Sequence, residues 1–334
     1  MIQLLVWMVV KENAFVFGGD WRIPVMHQLL SENFVEELKE DGTYNPLSFA
    51  REYESKWTGT SEDSFFDAEI FDKHRKLLQP EFEPDKKKDI FYVISADVAR
   101  AKGPQNADTV AHVIKCIPKD NGTYIKHIVN TFVFDGVHFL EQSIKLKKLV
   151  FQFDATMLVV DSNGPGFGLV DFLVKENLDE NTGDIYAPFS VVNDNSYDEY
   201  KKPNSLPLLY NIKSQGIASD IHVNCLSQIS SGKVKFLIDE MTAKSKISNK
   251  KMSSEEMAEY LTPFIMTSIM KEEMMNLRAK YHGNNVELEQ INKRIGKDKF
   301  SSLEYGLWYI KELEDKNINK NKLNINDYLF FIYN

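Results

Sequence analysis

Three aspartates sit where apolar segments end or helices begin, the positions at which an α/β fold does its chemistry. Asp97 closes the run FYVISAD (91–97), Asp161 closes TMLVVD (156–161), and Asp298 stands just ahead of FSSLEYGLWYIKEL. Apolar runs of this length read as buried strands, and open α/β sheets place their sites at the C-terminal ends of such strands. Clustered carboxylates repel one another, so the set is stable only with something cationic among them. Hard divalent cations prefer oxygen ligands; magnesium takes one or two protein carboxylates and leaves its other positions to water and phosphate oxygens. Two such ions about 3.5–4 Å apart activate a water and stabilise the leaving oxygen in phosphodiester cleavage. Taken singly, each acid has a plainer reading, since strand-end aspartates make turns and Asp298 would serve as a helix N-terminal charge. The joint pattern is what points to metal chemistry.

The elements that must position these acids follow from hydrophobic patterning. Three strands are predicted at 90–97, 107–117 and 123–134, with the Asn121-Gly122 turn between the second and third, an antiparallel start. A helix follows, with Val137, Leu140 and Ile144 on one face and Lys145, Lys147 and Lys148 on the other. The strand-helix-strand order then makes 156–161 a parallel neighbour of the first sheet strand or of the strand beside it. The expected fold is α/β, a mixed sheet flanked by helices. Further on, a helix is expected over 168–176, an apolar run at 185–192, a helix over 206–214, and extended segments at 221–224 and KVKFLID. From Ser253 one helix is predicted as far as Tyr281, with Pro263 inside it and Glu255 and Glu256 in its first turn. A last helix carries Leu303, Leu307, Ile310 and Leu313 inward, and from Asp315 the sequence reads as a mobile tail.

The 334 residues can bury a large core, and the 43% hydrophobic and 27% charged content is that of a soluble globular protein. A net charge of −9 argues against strong nonspecific nucleic-acid binding but leaves room for a locally basic groove. Lys233, Lys235, Lys244, Lys246, Lys250 and Lys251 form such a concentration, read equally as a solvated face or a phosphate-contacting surface. Two cysteines without a CxxC pair, and no metal-spaced histidines, exclude a disulfide framework and a structural zinc site. The opening MIQLLVWMVV is too short to span a bilayer and lacks a basic start, so it reads as a core strand and no membrane partner is expected. Gly164, Gly166 and Gly168 follow a strand and precede a helix, but their spacing is not that of a dinucleotide loop. They read instead as a tight turn beside Asp161.

The order of elements and acids resembles a ribonuclease-H-like nuclease, and more specifically the large terminase subunit of tailed double-stranded DNA phages. The residues that carry the resemblance are FAREYESKWTGTSEDSFF (49–66), ISADVARAKGPQNADTV (94–110), MLVVDSNGPGFGLVDFL (157–173), SGKVKFL (231–237) and GKDKFSSLEYGL (296–307). What it implies is a metal-dependent endonuclease that cuts concatemeric viral DNA during packaging with two Mg2+ or Mn2+ ions. By position, Asp97, Asp161 and Asp298 match the family's catalytic acids, and Asp108 matches an acid able to act as an outer or alternative metal ligand. Where many relatives carry further acids, this sequence has Lys299 and Ser302, which leaves Glu304 as the candidate substitute. The implied partners are double-stranded DNA, the portal protein and procapsid, the small terminase subunit and the terminase ATPase, in the host cytoplasm and transiently at the portal.

The resemblance also implies a domain division: residues 1–80 as the remnant of the end of an ATPase domain, 81–89 as a linker within QPEFEPDKKKD, 90–314 as the nuclease and 315–334 as a tail. No GxxxxGK[ST] occurs, so no ATP hydrolysis is expected from this chain alone, whether it is a truncated piece or the product of a split gene. Two alternatives stand beside the leading one. One is another ribonuclease-H-like enzyme, such as a transposase or junction resolvase. The other is a noncatalytic module that docks on DNA or the portal, to which Lys299 in place of an acid lends support.

Overall fold

The computed structural model describes residues 20–31, 33–35, 53, 64–98, 109–134, 138–163, 165–247, 252–283 and 285–332. Asp108, Lys250, Lys251 and most of the 49–66 segment lie outside the described residues, as does most of the helix expected around Leu30, Phe34 and Leu38. In chain order the helices are α1 (Arg22–Met26), α2 (Ala68–Lys73), α3 (Phe139–Gln152), α4 (Pro165–Leu173), α5 (Ala218–Ser230), α6 (Glu240–Ile247), α7 (Ser254–Met275) and α8 (Asp298–Ile332). The strands are β1 (Arg75–Leu77), β2 (Phe91–Asp97), β3 (Thr109–Pro118), β4 (Tyr124–Phe134), β5 (Met157–Asp161), β6 (Asn177–Leu178), β7 (Ile185–Tyr186), β8 (Phe189–Val191), β9 (Leu206–Ile212), β10 (Val234–Leu237), β11 (Leu277–His282) and β12 (Asn285–Gln290).

Eight strands form one mixed sheet in the order β1-β10-β4-β3-β2-β5-β9-β8. β2, β3 and β4 are antiparallel, and β5 returns parallel to β2, as the strand-helix-strand order implies. Strand alternation divides the core between the two faces. Val93, Ile114, Val159 and Ile212 point to the side covered by α5, α7 and α8, where Phe300, Leu303, Leu307 and Ile310 meet them. Ile94, Val113, Leu158 and Val160 point to the side covered by α3 and α4, through Leu146, Val150, Leu169 and Leu173. Cys116 and Cys225 are buried free thiols.

Several expectations are corrected. Residues 206–214 are not helical: β9 lies between β5 and β8, and Leu209–Ile212 are buried on both faces, where a continuous apolar run looks alike in strand and helix. Residues 221–224 are not extended but belong to α5, whose Ile221, Cys225, Gln228 and Ile229 recur at helical spacing. The helix from Ser253 is closed by a capping box with Glu256 and stops at Met275, and β11 and β12 form a hairpin. In α3 the inward face is Leu146, Leu149 and Val150, with Leu140 exposed. Lys147 lies on the buried side, its stem among apolar neighbours and its ammonium donating to the Lys175 carbonyl.

The sheet also reaches further back than Ile90. β1 pairs parallel with β10, and the Arg75 guanidinium donates to the carbonyls of Leu237 and Ile238 and to Ser268. Residues 81–89 are held against the sheet, because Lys115 on β3 donates to Glu81 (2.6 Å) and Asp85 (2.9 Å). Past Leu313 the backbone of α8 stays helical to Ile332, where the sequence suggested a mobile tail. No described helix is long and apolar enough to cross a membrane.

Candidate active site

Register puts the first two acids side by side. Ala96 pairs with Val160 across parallel strands, so Asp97 and Asp161 leave neighbouring strand ends. Residues 93, 95 and 97, like 157, 159 and 161, alternate onto the α8 face. The third acid arrives on α8, which begins at Asp298 and packs across β2, β3 and β5. Gly166 lets the chain turn immediately after β5, since a Cβ there would lie 1.7 Å from the Asp161 carbonyl oxygen.

The seating of α8 is set by contacts that leave no slack. Ser95 Oγ donates to the Ser302 carbonyl (2.6 Å), and Ser302 Oγ donates back to the Ser95 carbonyl (2.7 Å). At Gly306 a Cβ would meet Ile114 Cδ1 at 2.5 Å and Ser95 Cβ at 2.8 Å, so the helix lies at backbone contact with the sheet. Buried His112 bridges Thr131 Oγ1 and the Lys299 carbonyl, each at 2.8 Å. A carbonyl only accepts, so Nε2 carries the proton and Nδ1 accepts from Thr131. Burial holds this imidazole neutral, pulled down to about 4. Glu273 of α7 accepts from the backbone N–H groups of Lys299 (2.8 Å) and Phe300 (3.0 Å), satisfying the first turn of α8. The Lys299 ammonium reaches the same carboxylate at 3.1 Å. That residue, which suggested a charge replacing a catalytic acid, is therefore buried and occupied with Glu273.

At the edge itself, like charges crowd. Burial, then the carboxylates of Asp298 and Asp161, push Asp97 up to about 8, against the opposing charge of Lys297. Asp161 is also raised by burial, although it accepts hydrogen bonds from Asn163 N–H (3.0 Å), Asn163 Nδ2 (2.8 Å), Tyr305 OH (3.1 Å) and Ser214 Oγ (3.3 Å). The Tyr305 phenol is driven upward by burial and by these acids, so it stays protonated and donates. Glu304 does not join the three acids; its carboxylate, 3% exposed with the residue as a whole, takes Nδ1 of His222 at 2.7 Å. His222, Glu304, Lys297, Ser214 and Tyr305 line one cavity of about 130 Å³ beside the acid edge, floored by Ile221 and Phe300.

A set of mutually repelling, oxygen-only side chains fits a hard divalent cation. Among the described residues no three His, Cys, Asp or Glu side chains close together into a ready-made cage. Sequence reasoning missed Lys297, Ser214, Tyr305 and His222. Lys297 and Tyr305 lie inside a motif already singled out, one residue from Asp298 and from Glu304 respectively, whereas Ser214 and His222 reach the edge from elements whose type was misread.

Fold and acid edge together define an α/β protein whose mixed sheet is flanked by helices and whose central strands β2 and β5 end in aspartates. No protein-family model matches the chain, and no curated protein matches it. Solved structures do, among them phage large terminases and their nuclease domains. The large terminase nuclease of thermophilic phage G20c with bound magnesium is 15% identical, with 74% of this chain and 97% of that chain covered and a TM-score of 0.41. The nuclease domain of the large terminase subunit of bacterial virus Sf6 is 10% identical, with 65% and 87% covered and a TM-score of 0.35. A large terminase from another thermophilic bacteriophage is 13% identical over 83% of this chain and 52% of that one, with a TM-score of 0.37. At such low TM-scores the likeness carries no inference about activity.

Proposed function

We propose that this chain is a divalent-metal-dependent DNA endonuclease of the terminase kind, which cuts concatemeric viral double-stranded DNA during genome packaging. The observation that carries the reading is topological: Asp97 and Asp161 leave neighbouring parallel strand ends on the face crossed by α8, the helix that begins at Asp298, and the carboxylates of Asp298 and Asp161 add to the rise of Asp97. Asp97, Asp161 and Asp298 would hold Mg2+ or Mn2+, two ions in the full site, with Asp108 as a further ligand proposed from sequence alone. Such ions, when bound, supply an activated water and neutralise charge on the phosphate. The residues around them have their own tasks. Tyr305, Ser214 and Asn163 fix the orientation of Asp161, and Lys297 adds positive charge where a phosphate would approach.

The proposed partners are double-stranded DNA, the terminase ATPase and small subunit, and the portal of the procapsid, in the host cytoplasm. Residues 1–80 are proposed as the end of an ATPase domain. The docking-module alternative loses its support, since Lys299 is taken up by Glu273. The test is cleavage of supercoiled plasmid with magnesium, manganese or EDTA, beside Asp97→Ala. Metal-dependent nicking that falls roughly a hundredfold or more in the variant is expected. A folded parent that cuts with neither metal sinks the proposal.

A further inference from the structure

His222 and Glu304 are ionisable, adjacent to the acid edge, and given no task by the metal reading. They come from different elements, α5 and α8, and meet at 2.7 Å with side-chain exposures of 15% and 4%. A buried carboxylate that accepts from Nδ1 fixes the ring's tautomer and orientation and stabilises its protonated form, the arrangement by which a histidine is set up for proton transfer. With Nδ1 engaged, Nε2 is the ring's open position, and among the described residues no hydrogen bond to it is made. His222 lines the cavity shared with Ser214 and Tyr305, both of which donate to Asp161 Oδ2. The dyad is thus one cavity's width from a proposed metal ligand while touching none. The charged and titratable groups facing it are Glu304 and Tyr305 from α8, Lys297 ahead of α8, Asp161 from β5 and the buried thiol of Cys225 on its own helix. Burial raises the Glu304 carboxyl, and His222 and Lys297 oppose that rise.

We infer that His222 is the proton donor to the leaving oxygen of the phosphodiester, with Glu304 as its positioning residue, an inference that rests on the nuclease reading above. In this step a water oxygen bonds to phosphorus as that water gives up a proton to solvent, and the bond from phosphorus to the leaving oxygen breaks. That oxygen takes the Nε2 proton, and the ring recovers a proton from solvent. Glu304 stays ionised throughout.

The experiment compares the parent, His222→Ala and the volume-conserving His222→Gln on two duplexes in manganese. One duplex is unmodified. The other carries sulfur in place of the leaving oxygen at a single bond, prepared as separate 3′- and 5′-bridged versions. A thiolate leaves without a proton, so the variants should be slowed about a hundredfold on the oxygen duplex and no more than about threefold on the bridging-sulfur one. Glu304→Gln should fall between parent and His222→Ala and keep the sulfur rescue. Equal slowing on both duplexes would show a merely structural histidine, and parental rates on the oxygen duplex would show an idle one; either overturns the inference and leaves the nuclease reading intact. A parent inactive on both duplexes removes the nuclease reading, and this inference with it.

Discussion

Two kinds of buried charge occupy this fold, and they are built oppositely. Three buried lysines have their own carboxylates: Lys126, fully buried, with Glu314; Lys115 with Glu81 and Asp85; and Lys299, next to Asp298, with Glu273. At the edge, the charges of Asp298 and Asp161 push Asp97 upward, with Lys297 as the opposing charge. The paired sites close on themselves and hold α8 and residues 81–89 to the sheet. In the like-charged set the neighbouring carboxylates add to the rise of Asp97 instead of offsetting it.

Breaking a pair should have the largest effect on stability. Glu314→Ala leaves the Lys126 ammonium buried without its partner and should cost about 3–5 kcal/mol in urea unfolding. The joint replacement Lys126→Met with Glu314→Leu should come back close to the parent. Relieving the like charges should do the reverse. Because the folded pKa of Asp97 lies above its unfolded value, ionising it opposes folding as pH rises from about 4 toward 8. Asp97→Asn should therefore stabilise the metal-free protein by about 1–2 kcal/mol at pH 8 while removing cleavage. A variant no more stable than the parent in EDTA would mean that the three acids do not repel as described. The smallest effect at neutral pH belongs to His112, buried in its neutral form. Its folded pKa lies below its unfolded one, so its contribution is complete above pH 6.5 and is lost as pH falls toward about 4. His112→Gln should show a shallower fall in Tm over that interval than the parent.

How much of this could be read beforehand depends on the element. The central strands β2 to β5 were legible because long apolar runs end in aspartates and an Asn-Gly turn separates two of them, and Asp97 and Asp161 were legible with them. Asp298 was placed by the inward spacing of Leu303, Leu307 and Ile310 on the following helix. β9 and α5 were exchanged for each other's type, because LPLLYNI carries no period that distinguishes a doubly buried strand, and the helical period of ASDIHVNCLSQIS is diluted by polar residues. The site residues they bring, Ser214 just past β9 and His222 on α5, were lost with them. Lys299 was misjudged for a different reason. Position suggested a charge turned toward the acids, and only the fold brings Glu273 to it from 26 residues earlier.

The clamp between Ser95 and Ser302 joins residues 207 positions apart, and the His112 bridge spans 187. Contacts so distant form late, because the loop between them must be closed before they return any stability. A chain emerging from the ribosome therefore assembles the β2–β5 platform with two acids well before the third can be delivered. The acid edge comes into existence only with the docking of α8, so the helix that completes the core is also the element on whose arrival the proposed site depends.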